Sequence, residues 1–195
     1  TSWAQVVADG LGVHVDDVEV LHGDTAITPL GMDTYGSRSA SVGGAALHFA
    51  MEKIKEKARK IAAHELEVAE ADVEWTDGAF RVKGAPDKAK TIPQLAFSAW
   101  TAHALPKGTE PHLNGTAVYD PPNFTWPGGA HVCVVEVDVE TGRTEILDYV
   151  GVDDCGIIIN PMIVAGQVHG GVAQGIAEAL YEEAVYDDEG NLTTS

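Results

Sequence analysis

Ala130-His131-Val132-Cys133-Val134-Val135-Glu136-Val137-Asp138-Val139 and Thr144-Glu145-Ile146-Leu147-Asp148-Tyr149-Val150-Gly151-Val152-Asp153 are two alternating runs joined by Glu140-Thr141-Gly142-Arg143. A period of two sends successive side chains to opposite faces, and the short glycine-bearing link reverses the chain, so the pair reads as an antiparallel hairpin. A second hairpin is expected upstream, Val73 to Trp75 with Phe80 to Val82, because the Asp77-Gly78 pair favours a tight turn. A short strand from about Glu19 to His22 precedes the turn-prone Gly23-Asp24, and a glycine- and serine-rich loop follows through Gly31 and Gly36.

Helices are interspersed with these hairpins. Trp3, Val6, Val7 and Leu11 keep helical spacing, with Ser2 as the cap and Gly12 as the stop. The longest periodic segment runs from about Ser39 through Leu66, apolar at Ala45, Ala46, Phe49, Ala50, Ile54, Ala58, Ile61 and Ala62. About 27 helical residues span roughly 40 Å, enough to cross a complete layer. A third helix is expected from the Thr91 cap, with Pro93 presetting the first turn and Gln94 to His103 completing it. A last helix starts near Pro161 and runs to about Glu182. Mixed rather than alternating elements argue for an α+β fold with helices packed on antiparallel hairpins, not a doubly wound nucleotide fold. The 195 residues hold one substantial domain or two small subdomains, meeting near 120–130.

Charge narrows the partners. Twelve basic against thirty acidic side chains give a net charge of −18, which repels phosphate backbones and anionic lipid surfaces. Nucleic acid is therefore not an expected partner, and no run reaches the roughly 20 apolar residues of a membrane span. Two cysteines, Cys133 and Cys155, without a C-x-x-C pair, fit a reducing cytoplasm, with a single disulfide between them left open. The chain opens on Thr1 without an initiator methionine and closes on a turn that should feed another strand, so it reads as a piece of something larger.

Several familiar catalysts are missing. Gly36-Ser37-Arg38-Ser39 is not G-x-S-x-G, no phosphate loop of the G-x-x-x-x-G-K-[ST] type occurs, and Gly170 to Gly175 lacks G-x-G-x-x-G spacing. The eight histidines include no H-E-x-x-H pair, and His131 with Cys133 on one strand face supplies only two ligands. Asp153 and Asp154 are neighbours on a strand and point to opposite faces, which disfavours a shared acid–base centre.

Two glycine-rich helix starts remain. Tyr35-Gly36-Ser37-Arg38-Ser39-Ala40-Ser41-Val42-Gly43-Gly44 offers backbone N–H groups, hydroxyls and one guanidinium at a helix N-terminus, which suits a diphosphate; an ordinary capped helix is the bland reading. Asn160-Pro161-Met162-Ile163-Val164-Ala165-Gly166-Gln167-Val168-His169-Gly170-Gly171-Val172-Ala173-Gln174-Gly175 sets two glutamines among four glycines. Each helical glycine costs roughly 1 kcal/mol relative to alanine, so close packing or ligand approach must compensate.

In chain order, Gly23-Asp24-Thr25, Thr34-Tyr35-Gly36-Ser37-Arg38-Ser39, Asn160-Pro161 and Gly166-Gln167-Val168-His169-Gly170-Gly171-Val172-Ala173-Gln174-Gly175-Ile176 resemble successive signatures of one family. It is the molybdenum-cofactor-binding large subunit of the xanthine dehydrogenase and aldehyde oxidase family, especially the bacterial branch that includes aerobic carbon monoxide dehydrogenase. The resemblance covers the whole chain and implies a molybdopterin-binding region of a larger subunit. It implies molybdenum held by a pterin dithiolene, in the molybdopterin cytosine dinucleotide form, with Ser37, Arg38, Ser39, Ala40, Ser41, Val42 and Gly43 against the phosphates and molybdenum end and Gln167 at the pterin. It further implies oxidation of a small-molecule substrate with water as oxygen source, and electron transfer to FAD and 2Fe-2S partner subunits. Aldehydes, purines, N-heterocycles and carbon monoxide are the substrates of the family. The family's catalytic glutamate lies in a downstream G-x-G-E segment with no counterpart here; Glu178 falls inside the last helix and is assigned a structural or surface role, so the chain alone is expected to be inactive. The competing expectation is a non-catalytic structural or binding module derived from that fold.

Overall fold

The computed structural model describes residues 1–28, 31 and 34–194. The chain divides into two compact units, Thr1–Thr125 and Trp126–Ser195. In the first unit, α1 (Ser2–Leu11) is followed by a 3₁₀ turn (Val15–Asp17), a π-helical turn (Ser39–Gly43) and α2 (Gly44–Glu65). After a second 3₁₀ turn (Glu70–Asp72) come β1 (Val73–Thr76), β2 (Ala79–Val82), β3 (Ala85–Thr91) and α3 (Ile92–Thr101). The second unit holds β4 (Gly128–Val137), β5 (Thr144–Asp154) and α4 (Pro161–Leu180).

The core of the first unit forms where the C-terminal half of α2 meets the small sheet and α3. Ala58, Ile61, Ala62, Val73, Phe80, Ile92, Leu95 and Ala99 make one buried cluster, and Phe80, Ile61 and Leu95 are its largest fully enclosed side chains. The helical period continues through Phe49, but that ring is exposed and rests against Tyr119, 5.8 Å between centroids. At the β1–β2 turn, Asp77 and Gly78 have φ of 50° and 72°, the paired positive values that match strand twist. Gly78 also meets the end of α1: a Cβ on Gly12, itself at φ 64°, would lie 2.3 Å from the Gly78 Cα. Backbone thus packs on backbone, and the hairpin tip fixes where α1 ends.

Four expectations need correction. Residues 18–22 form no strand; they run as irregular chain after the 3₁₀ turn at Val15–Asp17. β3 was not anticipated, because Ala85-Pro86-Asp87-Lys88-Ala89-Lys90-Thr91 carries neither alternation nor β-branched bulk; pairing with β2, through a bulge at Arg81 and Val82, makes it a strand. The helix expected to reach His103 stops at Thr101, where Ala102 turns left-handed at φ 54° and its N–H donates to the Ser98 carbonyl. Its start is as expected: the Thr91 N–H donates to Gln94 Oε1 at 2.9 Å. The cap expected at Ser2 is also corrected: Ser2 is already helical, and Thr1 takes the capping position without a side-chain cap bond. The loop expected through Gly31 and Gly36 falls partly on residues 29, 30, 32 and 33, outside the described residues.

In the second unit β4 and β5 pair antiparallel from Gly128↔Asp154 to Val137↔Thr144, with a bulge between Val134 and Val135. The Asp138 carboxylate closes the connection by accepting the Glu140 and Thr141 N–H groups, bonds that hold it below its usual pKa. An isolated antiparallel bridge joins Tyr186 to Leu192 around the expected turn. Cys133 and Cys155 are free and exposed, so the disulfide left open by the sequence is not formed.

Two stability outcomes follow. Phe80→Ala should cost about 3–5 kcal/mol, read as a large fall in thermal midpoint, because it empties the centre of the first unit's core. Burial pushes Glu65 up, but hydrogen bonds from Lys90 and Ser98 and the charges of Lys90 and His64 outweigh it and set its pKa below the usual carboxylate value. Lys90 Nζ lies 2.8 Å from Glu65 Oε2. A depressed folded pKa stabilises the fold above the unfolded value, near pH 4.3, and the benefit disappears as pH falls through the folded value. Glu65→Gln should therefore destabilise the fold at pH 7, by about 1 kcal/mol for this partly buried pair and read as a lower thermal midpoint, and have no effect once the pH is below both values.

Candidate functional site

The glycine-rich segment before α2 enters the helix through two consecutive left-handed residues, Gly36 at φ 60° and Ser37 at φ 55°. Arg38 follows at φ −89°, ψ 0°, and opens the π turn. Its carbonyl accepts from the Val42 N–H at 2.9 Å and from the Ser41 hydroxyl at 3.2 Å, while the Ser39 hydroxyl bonds Thr34. The serine hydroxyls at 39 and 41 are thus spent on shaping the turn. For a ligand, the segment presents main-chain N–H groups of a first helical turn, which have no carbonyl one turn behind them, and the Arg38 guanidinium. That guanidinium lies over the Tyr35 ring, 4.1 Å from its centroid, a cation–π contact that orients a side chain otherwise free to swing.

The turn is also held from α1. The Trp3 indole N–H donates to the Ser39 carbonyl at 3.2 Å across 36 residues, and a Cβ on Gly43 would sit 2.8 Å from the Trp3 ring. Neither contact has a sequence signal, because nothing local links positions 3, 39 and 43. Tyr35 was legible as part of the segment, but its role beneath Arg38 was not.

Gln167 stands on α4 in the second unit. Asn160 caps that helix as expected, its side-chain oxygen accepting from the Ile163 N–H at 3.1 Å, and Pro161 occupies the first turn. Gln167 is exposed, and nothing lies within 4 Å of where a Cβ would sit on Gly166, Gly170, Gly171 or Gly175. Close packing therefore does not account for these glycines among the described residues. Glu178 is exposed on α4, inside the helix as expected.

A groove of about 510 Å³ runs beside α4, lined among others by His131, Cys133, Tyr149, Gly171, Gly175 and Ile176. His131 shares a strand face with Cys133, as the alternation implied, but its bonds go elsewhere: Nδ1 meets the Tyr149 hydroxyl and Nε2 meets Asp153 Oδ1, each at 3.1 Å. The imidazole lies across its cross-strand partner Gly151, whose Cβ would fall 3.0 Å from the ring. Asp154 instead accepts the Gly156 N–H, so the adjacent carboxylates serve separate local purposes. Among the described residues no three His, Cys, Asp or Glu side chains are grouped to hold a metal ion.

Residues 1–195 match the molybdopterin cofactor-binding domain family. The chain belongs to that family. The carbon monoxide dehydrogenase large chain of Hydrogenophaga pseudoflava is 47% identical over 192 residues, covering 98% of this chain and 24% of the relative. The nicotine 6-hydroxylase large subunit of Paenarthrobacter nicotinovorans is 38% identical over 196 residues, covering 100% and 24%. A crystal structure of Cu,Mo-CO dehydrogenase in its carbon monoxide reduced state superposes with a TM-score of 0.94 at 46% identity, over 99% of this chain and 24% of that one. The α+β fold is therefore that of the molybdenum hydroxylase large subunit, of which this molybdopterin-binding domain spans about a quarter.

Asn160→Ala should release the first turn of α4 at a cost of about 1 kcal/mol, seen as faster amide hydrogen exchange at Ile163 with exchange near Leu180 unchanged.

Proposed function

We propose that this chain is the cofactor-binding part of a larger molybdenum hydroxylase, with Ser37, Arg38, Ser39, Ala40, Ser41, Val42 and Gly43 holding the phosphates of molybdopterin cytosine dinucleotide and Gln167 reading the pterin. The observation that carries it is the turn before α2: first-turn amides, small side chains and a stacked guanidinium, in a chain of the molybdopterin-binding family. The donor set fits the group. Amide N–H groups and a planar guanidinium match phosphate oxygens, and a glutamine amide both donates to and accepts from a heterocyclic edge. When bound, the cofactor supplies the redox chemistry of an oxidation that takes its oxygen from water.

This chain's residues place that chemistry. The helix terminus favours an anion by about 0.3–1 kcal/mol, and Arg38 adds charge-assisted hydrogen bonds. Asn160 starts α4 so that Gln167 sits two turns along on a defined face. Arg38 and Gln167 are thus binding residues, with the catalytic glutamate supplied from outside this chain and the chain alone inactive. The substrate is a small molecule of the aldehyde, purine, N-heterocycle or carbon monoxide type; the named relatives act on carbon monoxide and on nicotine. FAD-binding and 2Fe-2S subunits complete the electron path, in the cytoplasm. Among the described residues no helix is long and apolar enough to cross a membrane. The remainder of the large subunit is the partner of the second unit, where no described residue is buried and Val132, Val134, Val150 and Val152 are exposed on one face of the hairpin.

The test uses the full-length protein with its partner subunits. Arg38→Ala and Gln167→Ala should each leave the fold intact and lower molybdenum per polypeptide, measured by mass spectrometry, with a matching fall in cytidine monophosphate released on acid hydrolysis. Loss of a charged hydrogen bond corresponds to roughly 10-fold weaker binding or more. Full molybdenum and nucleotide content in both variants would sink the reading in favour of a structural module, and release of a different nucleotide would overturn the cytosine form.

A further inference from the structure

The turn at Ser39–Gly43 is π-helical, whereas α2 beyond it is regular α-helix. Trp3 reaches this turn from α1 and bonds its first residue. Its indole N–H takes the Ser39 carbonyl at 3.2 Å, and its six-membered ring fills the place a side chain at position 43 would need. Gly44, one residue on, faces open space, so the requirement for glycine is particular to position 43. The indole is backed by His22, edge to face at 6.0 Å. At the other end of α1, the Gly12–Gly78 contact prevents the helix from sliding along α2 and carrying Trp3 with it.

We infer that Trp3 is a positioning residue for the cofactor's phosphates: it holds the π turn open, and with it the first-turn amides and the start of the Arg38 side chain. This inference rests on the cofactor reading of that turn. Trp3 touches no ligand in this account; it acts through the Ser39 carbonyl and Gly43. Removing the N–H frees the Ser39 carbonyl from α1, so the turn and its donors at residues 39–41 are no longer tied to a fixed point. The loss should then appear in cofactor retention beyond what lowered stability explains.

The experiment compares Trp3→Phe, Gly43→Ala, Gly10→Ala and Arg38→Ala in the full-length protein with its partner subunits. Trp3→Phe keeps an aromatic wedge without the N–H; Gly43→Ala keeps Trp3 but drives it off the turn. Gly10→Ala disturbs the α1–α2 contact elsewhere, since its Cβ would meet Met51 Sδ at 2.6 Å. Thermal midpoint, molybdenum content and the rate of cofactor release to a chelating buffer are measured for each. The expected result is cofactor release about 5-fold faster in Trp3→Phe, the scale of one neutral hydrogen bond, and faster still in Gly43→Ala. Gly10→Ala should shift the midpoint, since the buried end of Met51 must give way, while releasing cofactor at the parental rate. Equal release from Gly10→Ala and Trp3→Phe at equal midpoint overturns the inference, since α1 is then only a packing element. Rapid release from Arg38→Ala with parental release from both turn variants overturns the Trp3 role and leaves the site standing. Parental release from all four removes the site and the inference together. Should Trp3→Phe not accumulate, Gly43→Ala carries the same comparison.

Discussion

Backbone-close packing of α1 organises the first unit. At its C-terminal end a glycine of the helix cap lies against the glycine of the β1–β2 turn, and at its N-terminal end the Trp3 indole lies against Gly43. A helix touched at both ends by contacts with no room for a methylene has little freedom to shift. α2 and the first hairpin are therefore referenced to one rod, and the buried cluster around Ile61, Phe80 and Leu95 closes beneath them. The open turn before α2 is positioned by packing that lies outside it.

What could be read from the chain is what has a local cause. The Asp77-Gly78 turn, the Thr91 and Asn160 caps, the alternating β4 and β5 runs and the long period of α2 each announce themselves within a few residues, and the structure has them. The family was legible in the same way, from short ordered signatures. β3 was not, because its strand character is imposed by pairing with β2, and the Glu19 to His22 run failed for the converse reason, having strand-like residues but no partner among the described residues. The same division holds in the candidate site. Arg38 and the small residues around it stand out in sequence, while the Trp3 bond to Ser39 spans 36 residues and depends on where two helices happen to cross.

The second unit differs physically from the first. A buried cluster identifies the first as self-enclosing, yet from 126 to 194 no described residue is buried, although the strands are rich in valine. Val132, Val134, Val150 and Val152 share one face of the hairpin, opposite the face that carries His131, Tyr149 and Asp153, and an apolar sheet face belongs against a covering layer. Leaving Val132, Val134, Val150 and Val152 in water forgoes roughly 1.5 kcal/mol or more for each side chain. Local bonds, including the His131 bridge from Tyr149 to Asp153, set the register of the hairpin but do not replace that missing burial.

The glycines of α4 bear on Gln167 through helix geometry. Side chains on a helix lean toward its N-terminus, so a residue three or four positions further along overhangs the one before it. Gly170 and Gly171 occupy those two positions relative to Gln167 and overhang nothing, and the amide stays exposed. Alanines there would be better helix formers by roughly 1 kcal/mol each, and no described neighbour forbids them. The bare helix face has no packing partner among the described residues, and the residue it uncovers carries both a hydrogen-bond donor and an acceptor. Within the described residues these glycines are a net cost on packing grounds, and under the proposed cofactor reading they keep the approach to the Gln167 amide clear.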